Sequence, residues 1–483
     1  MKRWIFLFLQ IIFPAILLSQ QCDCIKDFQF VKTHMEKNHP GFNSDIKDPD
    51  SKPYKAFTDS IQRLIEKDIT GKRCIAYLRK YLFYLKDHHI NIYGSSRPVR
   101  EDSVEALNEF LKSPIYLSTE IIPTDSASVI SYLKSSSDLT EGIYQTPDQT
   151  YTIAVLKNKT ADRDYAGIIL NSKTKLWARE QVKLELKRIN DSIADLYLYL
   201  RNHSLDFQQI RTGKNRIELQ GWNKLSINSA AADNYRKPVS SELTSFQVLD
   251  PKTALISIRS FGGQFNAKLD SFYKAIIPEL KKYPNWILDV RGNGGGSDVN
   301  FSALMPFIYT DTIVGDMVEL YATPDNIAAY EAIRDLYKKD PQRYGTNGYT
   351  TWEWPLRLMK AAKPNTFTHY GDGKPSKSTY KAENGYPEKV AILYDRNCAS
   401  SCESLLFASM FSKKTIRVGE NSGGFTGYGN VMNIQTPCGN TLAWTTMRFR
   451  DHRKYDFVGI APDHKVPENE MDWVEYTRKL FYQ

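Results

Sequence analysis

Four short segments carry residue types able to do chemistry. The first is Leu288-Asp-Val-Arg-Gly-Asn-Gly-Gly-Gly296, a glycine run straight after an apolar strand. With no side chains in the way, backbone N–H groups there can point into a cleft and suit a phosphate or an oxyanion. The run lacks the Lys-Ser/Thr of a P-loop and the spacing of a dinucleotide fingerprint, and alone it reads equally well as a tight turn. The second is Cys398-Ala-Ser-Ser-Cys-Glu403, between a strand ending at Tyr394 and a helix. A serine at that junction gains from the helix dipole, and the N–H after it can donate to developing negative charge. A plain helix cap is the competing reading. The third is Asp87-His88-His89 at the end of a helix, either a general base or a solvated helix end. The fourth is Tyr455-Asp-Phe-Val-Gly-Ile-Ala-Pro-Asp463, which by itself reads as a surface turn.

Together, in this order, the four segments resemble the tail-specific (carboxy-terminal processing) family of serine proteases. That family has a D-x-R-x-N-G-G-G turn, matched by Asp289, Arg291, Asn293, Gly294, Gly295 and Gly296. Its nucleophile lies three residues before a Glu, which selects Ser400 with Glu403 as the marker. A terminal G-V-x-P-D segment is matched by Gly459, Ile460, Pro462 and Asp463, with Ile for Val. The Ser/Lys dyad of the processing-protease branch is missing: Gly419 to Tyr428 holds no Lys, and Lys413 and Lys414 come too early. The tricorn-like branch takes its base from an upstream L-x-D-x-H segment. Leu85-Lys-Asp-His-His89 fits it and selects His89 over His88. The same branch places its acidic residue at Asp456. The resemblance thus implies a serine endopeptidase with Ser400 as nucleophile, His89 as base and Asp456 as orienter. The N–H groups of Ser401 and of a glycine such as Gly294 or Gly295 would form the oxyanion hole. Arg291, Asn293 and Glu403 would support the site. No metal or organic cofactor is implied, and the partner is a protein or peptide substrate. The rival expectation is an inactive ligand- or peptide-binding protein on the same fold, like the modules of the interphotoreceptor retinoid-binding protein.

Positioning these residues calls for an α/β fold with a mixed sheet covered by helices. Thr253–Ile258, Trp286–Val290, Lys389–Tyr394 and Thr415–Val418 read as strands, and Phe265–Leu280 and Ser400–Phe411 as helices. Ser297 or Asp298 caps the helix after the glycine run. This alternation puts the chemistry at strand ends. Upstream, helical spacing over 28–35, 56–69 and 74–85 predicts a three-helix bundle. Short apolar runs at 151–156, 166–170, 182–186 and 195–200 predict a small antiparallel sheet or barrel. The expected organisation is 1–21 as a signal peptide, 22–115 as a helical domain, 116–240 as a β-rich domain and 241–483 as the peptidase core. No carboxylate-binding loop of a PDZ module precedes that core.

Lys2 and Arg3 followed by apolar Trp4–Leu18 have signal-peptide architecture, so the chain is expected to be exported to the periplasm or beyond the cell. Membrane contact is expected only through that segment or a lipid on Cys22, where Gln20 and Gln21 occupy positions that usually hold small residues. Export permits disulfides among the six cysteines. Cys24 and Cys74 fall at neighbouring ends of an up-down-up bundle and are expected to pair. Cys398 with Cys438 is the second expected pair, because Cys402 sits on a helix. The composition, 41% hydrophobic and 25% charged, is that of a globular chain. The net charge of +9 is spread without a run of five or six Lys/Arg, so no nucleic-acid partner is expected.

Overall fold

A computed structural model describes residues 23–42, 50–68, 70–94, 98–213, 216–217, 219, 221–225, 242–383, 385–467 and 470–482. The N-terminal segment and Cys22 lie outside them. The architecture is mixed α/β, as expected. Its centre is a six-stranded sheet in the order 244–250, 253–258, 285–289, 389–394, 415–419, 464–465. The first pair is antiparallel and the others are parallel. The interior strands are apolar throughout because both faces are covered. Trp286, Leu288, Val390 and Ile392 pack with Leu269 and Leu405 on one face. Ile287, Ala391 and Leu393 pack with Trp473 on the other.

The upstream helices run Cys24–Asn38 (α1), Lys52–Lys67 (α2) and Cys74–Phe83 (α3). They share their core with a second, antiparallel sheet near the C-terminus. Phe28, Met35, Tyr54 and Tyr81 pack in one cluster with Leu320, Tyr330, Met432 and Trp444. This sheet contains the hairpin Tyr428–Gln435 and Thr441–Phe449 together with Val318–Ala322 and Thr366–His369. Asn91–Tyr93, just after α3, adds to it by pairing with 441–443. Buried polar groups fix the docking. Asp27 of α1 accepts from Thr436 Oγ1 at 2.7 Å, Cys438 N at 2.8 Å and Asn440 Nδ2 at 2.8 Å, all in the hairpin turn. This seating carries the Asp87-His88-His89 turn to the peptidase core.

The described strands between 142 and 225 form an eight-stranded antiparallel sheet, in which the strands predicted at 151–156, 166–170, 182–186 and 195–200 run 151–157, 165–172, 182–188 and 193–199 and are neighbours. Cys24–Cys74 is a disulfide, as the bundle geometry implied. The expected Cys398–Cys438 pair is not formed. Cys398 is bonded to Cys402, with Cα atoms 5.3 Å apart. The first helical turn after Ser400 brings Cys402 back over Cys398, so a helical position favours this short-range pair. Cys438 is disulfide-bonded elsewhere.

Candidate active site

The glycine turn and the Ser400 turn leave adjacent parallel strands and touch. Asp289 ends its strand buried between two arginines. Arg291 grips it through Nε at 2.8 Å and a terminal nitrogen at 2.7 Å, and Arg259 adds a bond at 2.8 Å. Those cations hold the Asp289 carboxyl below its usual range although burial opposes them. Asn293 locks the turn from inside. Its Nδ2 donates to Ile258 O at 3.1 Å, its Oδ1 accepts from Gly295 N at 2.9 Å, and its carbonyl accepts from Ala399 N at 3.2 Å. Gly295 has φ +88°, and a Cβ there would lie 2.3 Å from Ala399 O and 2.8 Å from Ser401 N. Only glycine lets the two turns meet this closely. The Gly295 N–H is thereby engaged, so its role is steric and the oxyanion assignment moves off it. Gly294 and Ser401 make no backbone N–H bond among the described residues. Ser401 is the first residue of its helix and has no intrahelical acceptor. Ser297 begins a 3₁₀ turn, Asp298–Leu304, in place of the expected α-helix.

Ser400 stands between strand and helix Ser401–Ser409 with φ +55°, a sparsely populated conformation for a non-glycine residue. Glu403 holds it there. The Ser400 N–H donates to Glu403 Oε2 at 2.9 Å, the reach-back of an S-x-x-E helix start. The same carboxylate accepts from Phe425 N at 2.8 Å, Gly424 N at 2.8 Å and Ser422 Oγ at 2.6 Å. Burial raises the Glu403 pKa, and the four donors work against that rise. The terminal motif closes the loop from behind. Ile460 N donates to Ser422 Oγ at 2.7 Å, and a Cβ at Gly459 would sit 2.1 Å from Ser422 O. Pro462 and Asp463 continue outward, where Asp463 pairs with Arg417.

The histidines reach the same loop from the other sheet. The Phe425 ring lies 4.8 Å from the His88 ring and 5.3 Å from the His89 ring, centroid to centroid. His88 is also wedged on Phe457 at 3.7 Å. His89 has Nδ1 3.6 Å from Asp87 Oδ1, an ion-pair distance longer than a hydrogen bond. Its Nε2 is buried without a partner. Ser400 and His89 thus both adjoin the 422–427 loop, Ser400 through the Glu403 carboxylate and His89 through the Phe425 ring, and no hydrogen bond joins the Ser400 hydroxyl to His89.

Asp456 is not brought to the His89 ring. Its Oδ1 accepts from Thr426 N and Oγ1, each at 3.0 Å, and from Gly427 N at 2.6 Å. Burial raises its pKa to about 6. The carboxylate beside His89 is Asp87, two residues upstream. The D-x-H spacing carried that signal.

Comparison with known proteins bears on residues 252–466, which match the model of peptidase family S41. No curated protein matches the chain. Among solved structures, mature CPAF is similar at 12% identity over 95% of this chain and 96% of that one, with a TM-score of 0.48. The photosystem II D1 C-terminal processing protease gives 12% identity, 94% and 96% coverage and a TM-score of 0.34. The tricorn protease gives 11% identity, 92% of this chain, 34% of that one and a TM-score of 0.35.

Proposed function

The chain is a serine-type peptidase of family S41, matched through its α/β core, and from that premise we propose that it is an exported endopeptidase with Ser400 as nucleophile and His89 as general base. The observation that carries this reading is the buried, unpartnered Nε2 of His89, whose ring lies against Phe425, a residue bonded to the same Glu403 carboxylate that holds the Ser400 N–H. With Asp87 beside Nδ1, the neutral ring keeps its proton on that nitrogen and leaves Nε2 as the base. Substrate binding closes the remaining gap, since catalytic hydrogen bonds of free enzymes often tighten only in the complex.

Ser400 Oγ attacks the scissile carbonyl while His89 Nε2 takes its proton. The N–H groups of Ser401 and Gly294 stabilise the oxyanion. His89 then protonates the leaving amine, and a water repeats the sequence to release the acyl group. Export is supported by the charged and apolar N-terminus and by two disulfides, Cys24–Cys74 and Cys398–Cys402.

A fluorophosphonate probe with intact-mass detection tests the nucleophile. One adduct on the wild type at Ser400, none on Ser400→Ala, and loss of peptide turnover in that variant are expected. An unlabelled, folded wild type would make the protein a binding module.

A further inference from the structure

Behind His89 lies a buried chain of groups of which the reaction above uses only the Asp87 carboxylate beside Nδ1. The Asp87 and His39 side chains are 1% and 0% exposed. Asp87 Oδ1 accepts from His89 N at 2.8 Å and faces His89 Nδ1. Its Oδ2 takes Thr445 Oγ1 at 2.7 Å, from the C-terminal sheet, and His39 Nε2 at 3.1 Å, from the turn that ends α1. His39 Nδ1 accepts the Gly41 N–H at 3.2 Å. A nitrogen that accepts carries no proton, so the His39 proton is on Nε2 and points at Asp87.

Two consequences follow. Asp87 is ringed by donors from three separate parts of the chain and is ionised. Those bonds hold its carboxyl well below the usual range although burial acts the other way. A buried carboxylate favours a cation beside it, and His39 is a poor candidate, because a proton on its Nδ1 would face the Gly41 N–H. His89, with an unpartnered Nε2, is the imidazole that can take the proton.

We propose that Asp87, held by His39 and Thr445, is the positioning residue of the base: it orients His89 and stabilises its imidazolium form, the role the family resemblance gave to Asp456. The proposal rests on His89 being the general base. The titratable groups around the pair are His39 from the α1 turn, His88 from the 87–89 turn itself, and Asp456, whose charge reaches Asp87 only through space.

Nitrogen-15 NMR of the imidazoles in the full chain, with His89 assigned by His89→Gln, provides the test. In the neutral wild type, His39 should carry its proton on Nε2 and His89 on Nδ1. Asp87→Asn should lower the His89 titration midpoint by about one pH unit or more, the size expected for loss of an opposite charge within ~4 Å. The acid limb of kcat/KM should move down with it. Asp456→Asn should leave the His89 midpoint in place. A merely structural Asp87 would lower kcat at every pH without moving the midpoint, and that result overturns the proposal. So does His89 protonated on Nε2 in the wild type, a readout independent of any variant's folding. Turnover retained in Ser400→Ala, with the His89 midpoint still responding to Asp87, would instead remove the nucleophile assignment and leave the hold on His89 intact.

Discussion

Replacing Glu403 by glutamine leaves one acceptor oxygen where four donors converge. With the amide nitrogen at the Oε1 position, Ser422 Oγ can turn to accept, but the Gly424 N–H, now at 2.8 Å, loses its acceptor. With the nitrogen at Oε2, the N–H groups of Ser400 and Phe425 are both orphaned. Each orphaned buried donor costs about 1–3 kcal/mol, so the first arrangement prevails at about 2 kcal/mol. For 483 residues at ~2.1 cal/mol/K per residue the melting entropy is ~1 kcal/mol/K, which makes the loss roughly 2 °C in Tm. The functional effect should be larger than the thermal one. Releasing Gly424 loosens Phe425, the ring against which His88 and His89 both lean. A displacement of ~1 Å at such a position costs up to ~100-fold, so a fall in turnover of about 10- to 100-fold is expected. Calorimetry and the rate of fluorophosphonate labelling at Ser400 measure the two effects on the same samples. Wild-type Tm together with wild-type labelling would refute the reasoning, because Glu403 would then not be what joins the Ser400 turn to Phe425.

Asp456→Asn should stabilise the protein at pH 8. The folded-state pKa of about 6 against 3.8 in the unfolded chain means the folded state binds this proton more tightly. Stability from this group is full below pH ~4 and is lost as pH rises through ~6, about 3 kcal/mol in all. Asparagine keeps Oδ1 for Thr426 and Gly427 and removes the charge, so Tm at pH 8 should rise by ~2–3 °C and its fall between pH 4 and 6 should flatten. A Tm at pH 8 below that of the wild type would contradict the sign. Replacing Cys398 and Cys402 together by serine opens a short loop around the nucleophile. The chain-entropy relation gives about 2 kcal/mol, with Tm down by ~2 °C and several-fold slower labelling of Ser400. Unchanged labelling would show that Glu403 and Gly295 suffice to hold the turn.

The elements legible in the sequence were those whose pattern and punctuation agree. Lys389–Tyr394 is apolar because it lies between two cores, and its bounds are those read from the sequence. Gly459 was recognised by motif, and its reason is now visible in the approach of Ser422 O. The antiparallel sheet that carries His89 was not read. Thr445, Thr446 and Asn430 interrupt its apolar alternation, yet Thr445 and Thr446 are buried because they bond Asp87 and Tyr330. The turn at Pro437-Cys-Gly-Asn440 was the available hairpin signal. Asp456, the acid that the resemblance implied, bonds Thr426 and Gly427, and the carboxylate at ion-pair distance from His89 is Asp87. A family position says which residue type recurs, whereas the nearer carboxylate is decided by the turn geometry at 87–89.

This construction has a consequence for how the site is assembled. Ser400 is fixed by the parallel sheet and its core, with Leu405 and Ile460 packed beneath it. His89 is fixed by α1, α3 and the antiparallel sheet, through Asp87, Thr445 and the pairing of 91–93 with 441–443. Much of the link between the two runs through one segment, 422–427, where Glu403 takes three donors on the nucleophile side and Asp456 three on the other. Two cores that close on one loop make the nucleophile–base distance depend on their relative seating as well as on either core alone. On the proposed reading of Ser400 and His89, a substrate that engages both cores can set the distance between them. Activity should therefore be more sensitive than Tm to changes in 422–427, the ordering that the glutamine variant at Glu403 measures directly.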